Sequence, residues 1–306
     1  MASSDRASIE AKIAALEEAM CAPDFWNDKD RAQAAIREIA DLKLALEGGG
    51  RHDKSGAILN FYAGAGGDDA EDWARMLVEM YQRYAASKGW TWSMLYSSPN
   101  EAGGYRSYTG EVEGKGAYGE LKHESGVHRL VRLSPFGAKD IRQTSFAMVE
   151  ALPSKMDVAE AGIRTEDVDV SFTRSGGPGG QNVNTRETAV HAVHKPTGFA
   201  VRVDSERNQH ANRDRALEIL AAKVAKLRED EARAKEDGIA ISKTTDAAWG
   251  NQIRSYVLHP YKLVKDHRTG VEIRNAEKVI EDGAIQEFID AMKEGRKAGE
   301  GDAEEK

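Results

Sequence analysis

The chain has a single cysteine, Cys21, among its 306 residues. No disulfide can form within it, and no cysteine cluster can hold zinc. It also lacks any run near the roughly 18 uncharged apolar residues that a membrane-spanning helix needs, and its mean hydropathy is −0.60. A charged start followed by an apolar stretch is missing, so no secretory signal is expected. With the lone thiol, this points to a reducing, cytoplasmic setting. His-Glu-x-x-His and Gly-x-Ser-x-Gly patterns are absent, so neither a zinc-protease centre nor a nucleophile elbow is expected, and no metal or cofactor is implied. Nor is there a basic excess: 51 acidic side chains against 43 basic ones give a net charge of −8. That argues against nucleic-acid binding unless the charge is segregated. What the chain does have is 40% apolar residues, enough for real cores. Its length predicts two or three domains.

The charge is segregated. Between Lys195 and Arg228, eight basic residues (Lys195, Arg202, Arg207, Arg213, Arg215, Lys223, Lys226 and Arg228) face four acidic ones. A local basic surface is expected there, while the tail 293–306 is acidic and expected to be disordered. At the start, Ile9, Ile13, Leu16 and Met20 recur at helical spacing, as do Ile36, Ile39, Leu42 and Leu46. Gly48-Gly49-Gly50 ends this predicted helical hairpin. From Ala57 the period shortens. Strands are predicted at 57–62, 90–96, 107–113, 117–121, 128–133 and 145–152. Asp68 and Asp69 are expected to cap a helix bearing Trp73, Leu77, Met80, Tyr81 and Tyr84. Further strands are predicted at 167–172, 188–194 and 198–203, the last two forming a hairpin. A long helix at 212–236 and a mixed segment at 249–292 follow. Strands and helices without regular βαβ order predict an α+β, multidomain fold.

Two glycine-rich segments could carry chemistry. Gly64-Ala65-Gly66-Gly67 lies between a strand and a helix, where phosphate can be cradled. It lacks the Lys-Ser/Thr of a phosphate loop, and Asp68, Asp69, Glu71 and Asp72 would repel an anion, so a tight structural turn is the better reading. The second segment, Arg174–Asn184, places Gly176, Gly177, Gly179 and Gly180 around Pro178 and just before Gln181. Such a loop lets its backbone approach another surface closely. By composition, Gly-Gly-Gln arises by chance about 0.06 times per chain, which alone would decide nothing.

Four pieces in order settle the matter. They are Gly179-Gly180-Gln181; Gly126–Arg132 running into Ser134-Pro135-Phe136; Trp249–Tyr256; and Arg268–Glu272. Together they resemble the bacterial class-one peptide chain release factors of the type that reads UAA and UGA, over about residues 56–292. The resemblance implies a shortened N-terminal helical domain (1–50), a codon-recognition superdomain (51–158, completed by 245–292) and a β-rich domain with a long helix carrying the Gly-Gly-Gln loop (159–244).

It further implies translation termination: recognition of UAA and UGA in the ribosomal A site and hydrolysis of peptidyl-tRNA, with no autonomous enzymatic activity expected. Gly179, Gly180 and Gln181 are the implied catalytic loop, and Gln181 is also the implied methylation site. Stop-codon recognition falls to Ser134, Pro135, Phe136, Gln143 and Thr144, with Glu124, Gly126 and Val127 expected near the first base at a helix tip. Trp249 is the implied switch that stacks on decoding-centre RNA, and Lys195–Arg228 would supply phosphate contacts. The implied partners are the ribosome (decoding centre and peptidyl transferase centre), the mRNA stop codon, peptidyl-tRNA, a glutamine methyltransferase and a recycling GTPase factor. A monomer with no membrane association is expected.

The chain departs from the family pattern in two places. Gln143 stands where many relatives have a stacking histidine, and the N-terminal helical domain is short, which bears on the GTPase partner. One alternative is a codon-independent rescue hydrolase for stalled ribosomes, but those proteins are short and end in a basic tail. A non-hydrolytic ribosome-binding protein is the other, against which the intact Gly179-Gly180-Gln181 speaks.

Overall fold

A computed structural model describes residues 12–17, 20, 39, 52–136, 141–156, 161–175, 187–236 and 252–295. The chain divides into two units, Met1–Lys54 and Ser55–Lys306. In the first, residues 12–17, 20 and 39 are helical, with Ile13 and Ile39 buried. The remainder of the predicted hairpin lies outside the described residues, as does 296–306 of the tail.

The second unit is built on an eight-stranded sheet of order β11-β10-β9-β4-β5-β1-β3-β2. Its strands are β1 (Ala57–Ala63), β2 (Thr91–Pro99), β3 (Tyr105–Glu113), β4 (Gly126–Leu133), β5 (Arg142–Pro153), β9 (Gln252–Val257), β10 (Leu263–Asp266) and β11 (Glu272–Ile273). All neighbours are antiparallel except β4 and β9, which run parallel. Helix α1 (Asp68–Ser87) covers one face, with Trp73, Leu77, Met80, Tyr81 and Tyr84 all buried against Leu59, Phe61, Val149 and Tyr256. The predicted apolar spacing is thus the buried stripe of this helix. The short helices α4 (Ala276–Asp282) and α5 (Gln286–Lys293) close the same core with Val279, Ile280, Phe288 and Ile289. Among the described residues, no helix is long and apolar enough to cross a membrane.

One predicted strand is wrong. Ala117–Leu121 forms a short helix, α2. Gly116 enters it in the left-handed conformation (φ 81°), and Ala117 and Leu121 are buried while Gly119 between them is not, the spacing of a helix face rather than a strand face.

A smaller antiparallel sheet contains β6 (Val168–Thr173), β7 (Ala189–His194) and β8 (Phe199–Val203) in that order. Helix α3 (Gln209–Glu236) packs on it. At 28 residues this helix is about 42 Å long. It is apolar on more than one side. Ile219, Leu220 and Val224 share a core with Val190 and Val203 of the small sheet, and with Ile58 and Leu152 of the large one. β1 is therefore covered on both faces, which explains its nearly unbroken apolar run.

The basic stretch expected to offer phosphate contacts is partly consumed by this packing. Lys223 lies 3.2 Å from Glu150 and donates to the Tyr62 hydroxyl at 2.8 Å. Arg215 pairs with Glu111 and donates to the Ser154 carbonyl. Lys226 donates to Ser125 Oγ and the Ala151 carbonyl. These three cations hold α3 to the large sheet, because opposite charges and bare carbonyls wait for them there.

The two segments that complete the large sheet are fastened by a buried ion cluster. Arg254 on β9 is fully buried, and its two terminal nitrogens donate to the two oxygens of Glu124, each at 2.7 Å. It also reaches Asp266 at 3.0 Å and lies 4.2 Å from the Phe288 ring centroid. Tyr81 donates to Glu124 at 2.8 Å, and Arg268 donates to Asp266. Burial opposes ionisation of Glu124, but the Arg254 guanidinium outweighs it and holds the carboxyl below its usual value. Asp266 is likewise held at about 2, against burial, by Arg268 and Arg254. His128 is pushed down to about 4 by burial and by the same Arg254 charge.

Glu124→Ala leaves Arg254 without its bidentate partner and should cost about 3–5 kcal/mol, measured by urea unfolding. Unfolded His128 takes up a proton near pH 6.5, whereas the folded state resists until about 4. Its share of stability is complete above 6.5 and is lost as the pH falls to 4. His128→Gln should flatten the stability profile in that window, while the Asp266 contribution, lost between 3.8 and about 2, should remain.

Candidate functional site

β4 delivers Ser134, Pro135 and Phe136 to the end of the large sheet. The Ser134 amide bonds to the Ile141 carbonyl at 3.1 Å, closing the β4–β5 connection. Its hydroxyl donates to Asp69 Oδ2 at 2.6 Å and accepts from the Phe136 amide at 3.1 Å. Phe136 remains 43% exposed and Pro135 is exposed as well. The first turn of α1 thereby fixes the orientation of Ser134.

Asp69 has a different role from the helix cap that its position predicts. It does not cap α1: the N-cap is Gly67, at φ 57°, with no side-chain cap bond. Asp69 is 7% exposed and also accepts from Arg132 at 3.1 Å, while Arg132 reaches Asp72 at 2.6 Å. Its value lies in a tertiary contact with the strand end rather than with its own helix, and helix patterns carry no sign of that. Gly66 lets the turn come this close to β5. A Cβ there would sit 3.0 Å from Ser145 Oγ, at φ +135°.

Gln143 and Thr144 lie at the same end of the sheet, both exposed. Gln143 is opposite Arg132 and Thr144 is opposite Val131. Alternation therefore puts Gln143 on the α1 face with Arg132, and Thr144 on the reverse face.

Glu124, Gly126 and Val127 do not join this group, and their expected place near the first base is corrected. They sit at or just before the other end of β4, whose run from Gly126 to Leu133 spans about 23 Å at the usual strand rise. Glu124 is 0% exposed with its carboxylate committed to Arg254, and Val127 is 2% exposed. Gly126 is glycine for a local reason: a Cβ would come within 2.5 Å of Ile253 Cγ2. The helix tip beside Ser134 is instead the start of α1.

Gly179, Gly180 and Gln181 lie outside the described residues, as does Trp249. The flanks of the loop are described. Ser175 Oγ is 3.3 Å from Thr188 Oγ1, so the two ends of the loop meet. Arg202 donates to the Arg174 carbonyl at 3.0 Å. On the far side, Asn212 of α3, fully buried, donates to the Thr188 carbonyl at 2.8 Å, and Gln209 donates to the Glu187 carbonyl. The stem is therefore bound to the small sheet and to α3. Among the described residues, no group of acidic, histidine or cysteine side chains could hold a metal ion.

Two families match the chain, the PCRF domain over residues 35–149 and the RF-1 domain over residues 156–268. Peptide chain release factor 2 of Exiguobacterium sp. is 38% identical, covering 92% of this chain and 90% of its own. The protein of that name from Thermotoga petrophila is 46% identical over 85% of this chain and 69% of its own. Among solved structures, RF2 of Thermus thermophilus superposes with a TM-score of 0.70 at 37% identity, covering 95% of this chain and 84% of the other.

Asp69→Ala should leave the Ser134 hydroxyl and the Arg132 guanidinium short of an acceptor and cost about 1–3 kcal/mol, read by urea unfolding. Ser134→Ala removes one donor to Asp69 and one acceptor for the exposed Phe136 amide while Arg132 still serves Asp69, and should cost less.

Proposed function

This chain belongs to the bacterial class-one peptide chain release factors, of the release-factor-two type, and on that footing we propose that it occupies the ribosomal A site, recognises UAA and UGA, and triggers hydrolysis of peptidyl-tRNA. The observation that carries the codon end is the Ser134 hydroxyl, held by Asp69 at an exposed sheet end beside Phe136, Gln143 and Thr144. Unpaired bases are read by edge hydrogen bonds and stacking. With its proton given to Asp69, the Ser134 hydroxyl accepts from a purine amino group, and turning that proton from Asp69 to the base lets it meet a purine carbonyl, which suits tolerance of A or G at the second position. Thr144, on the reverse face, meets the third base. The start of α1, adjoining Ser134, takes the place first given to Glu124. In our reading residues 51–158 with 245–292 read the codon, and 159–244 perform release.

At the release end, water attacks the ester carbonyl carbon of peptidyl-tRNA. Negative charge develops on the tetrahedral oxygen and the leaving ribose oxygen, and the C–O bond breaks as that oxygen takes up a proton. The Gln181 main-chain amide donates to the developing charge, an interaction typically worth a few kcal/mol in a dry site. Gly179 and Gly180 allow the backbone to aim that amide, and the Gln181 side chain admits water while excluding larger nucleophiles. Support for delivery comes from the tied stem at Ser175, Thr188 and Asn212. Trp249 stacks on decoding-centre RNA. The protein acts as a monomer in the cytoplasm, with a glutamine methyltransferase modifying Gln181 and a GTPase factor recycling it.

Release from ribosomes programmed with UAA, UGA, UAG or a sense codon tests this reading, with mRNA-free ribosomes alongside. Release on UAA and UGA alone is expected, and release without mRNA would favour a rescue hydrolase. Gly179→Ala and Gly180→Ala should each abolish release while leaving codon-dependent binding intact. Gln181→Ala should be milder, because it keeps the amide.

A further inference from the structure

Beside the Ser134 site, on the reverse face of the sheet, lies a cavity of about 260 Å³, and of its lining only Thr144 has a place in the proposed codon reading. It is lined by Arg129, Arg142, Thr144, His259, Pro260 and Tyr261, over a floor of Val131 and Val257. No carboxylate belongs to the lining, although the chain as a whole carries a net charge of −8. Register explains the convergence. Val131 is opposite Thr144 on β5 and Val257 on β9, so these side chains share the face turned away from α1. Arg129 stands two residues earlier on that face, and its Nε is buried with no hydrogen-bond partner. An unfilled buried donor is costly, and here it borders a cavity that an acceptor could occupy. Tyr261 is 59% exposed, among the most exposed large apolar side chains of the described residues, with Ile141 at 51% on the adjoining β4–β5 connection.

An exposed aromatic ring, two guanidinium groups and no acidic neighbour make up the chemistry that binds unpaired RNA: the ring takes a base face and an arginine takes the phosphate. A peptide would leave the arginines unmatched unless it were acidic. We propose that this cavity holds one unpaired RNA nucleotide outside the codon triplet, with its base stacked on Tyr261 and its phosphate accepting from Arg129. The proposal rests on the termination reading, because continuity with Thr144 is what brings RNA to this face.

The test is equilibrium binding of fluorescently labelled full-length protein to ribosomes stalled at UAA, with each of the four nucleotides placed after the codon in turn. Tyr261→Ala should weaken binding about tenfold, the size of one lost stacking contact, with its unfolding midpoint unchanged. Tyr261→Phe and Tyr261→Trp should stay within about twofold of wild type, since stacking needs only the ring. Arg129→Gln should lower the slope of log affinity against log salt by about 0.7, as expected for one single-strand phosphate. A Tyr261→Ala loss that varies with the following nucleotide would identify the message as the source, and a uniform loss would identify ribosomal RNA. Tyr261→Ala binding as well as wild type, or Tyr261→Phe failing as badly as Tyr261→Ala, would overturn the proposal. Equal wild-type binding at stop and sense codons would overturn the termination reading instead, while the Tyr261 comparison would still report its own contact.

Discussion

Arg254 is the residue on which the architecture turns. Its guanidinium joins Glu124, just ahead of β4, to Asp266 on β10, with every partner taken out of water. Burying three charges is expensive, and complete hydrogen bonding is what makes it tolerable. The cluster sits where the chain returns after building an entire second sheet and the long helix α3. β9 must find β4, and the parallel pairing between them is intrinsically long-range. An arginine that can be satisfied only by Glu124 and Asp266 penalises other registers. The surrounding Tyr81, His128 and Tyr256 hydrogen bonds tie the same point to α1.

The large sheet then serves two masters. On one face α1 packs through aromatic residues and positions Asp69. On the other, α3 lies across β1 and β5 and brings the small sheet with it. Lys223, Arg215 and Lys226 anchor that face through ion pairs and carbonyl contacts largely shielded from water, Lys223 itself being buried. The apolar contacts of Ile58 and Leu152 with the helix carry the remainder. The Ser134 end of the sheet and the Ser175–Thr188 stem are thus mounted on one sheet by different kinds of contact. The α1 mount is deep and aromatic, whereas the α3 mount is partly ionic.

The same division explains why the Ser134 hydroxyl is held in one orientation. A lone serine on a turn would rotate freely. Here its hydroxyl has an acidic acceptor on one side and a backbone donor on the other. That acceptor is itself held by Arg132, which pairs with both Asp69 and Asp72. A chain from half-buried arginine to aspartate to serine orients a polar atom at an exposed edge.

Much of this was legible from residue order. Alternation marked most strands, three-and-four spacing marked α1, and the ordered motifs around Gly179-Gly180-Gln181 and Ser134-Pro135-Phe136 carried the family. Which acid does what was not legible. Asp69 and Glu124 both looked like residues at helix tips, yet one holds the serine and the other is sealed in the core. Local pattern reports that a side chain meets something, but not which distant segment supplies the partner. Likewise, Lys223 and Arg215 read as surface charge until α3 met the sheet, and Ala117–Leu121 read as a strand because five residues are too few to separate period two from period four. Residue order determined the elements and the chemistry available to them. Only the long-range closure of β9 onto β4, and of α3 onto β1 and β5, decided which groups face solvent, because burial and pairing belong to the packed chain and not to any window of it.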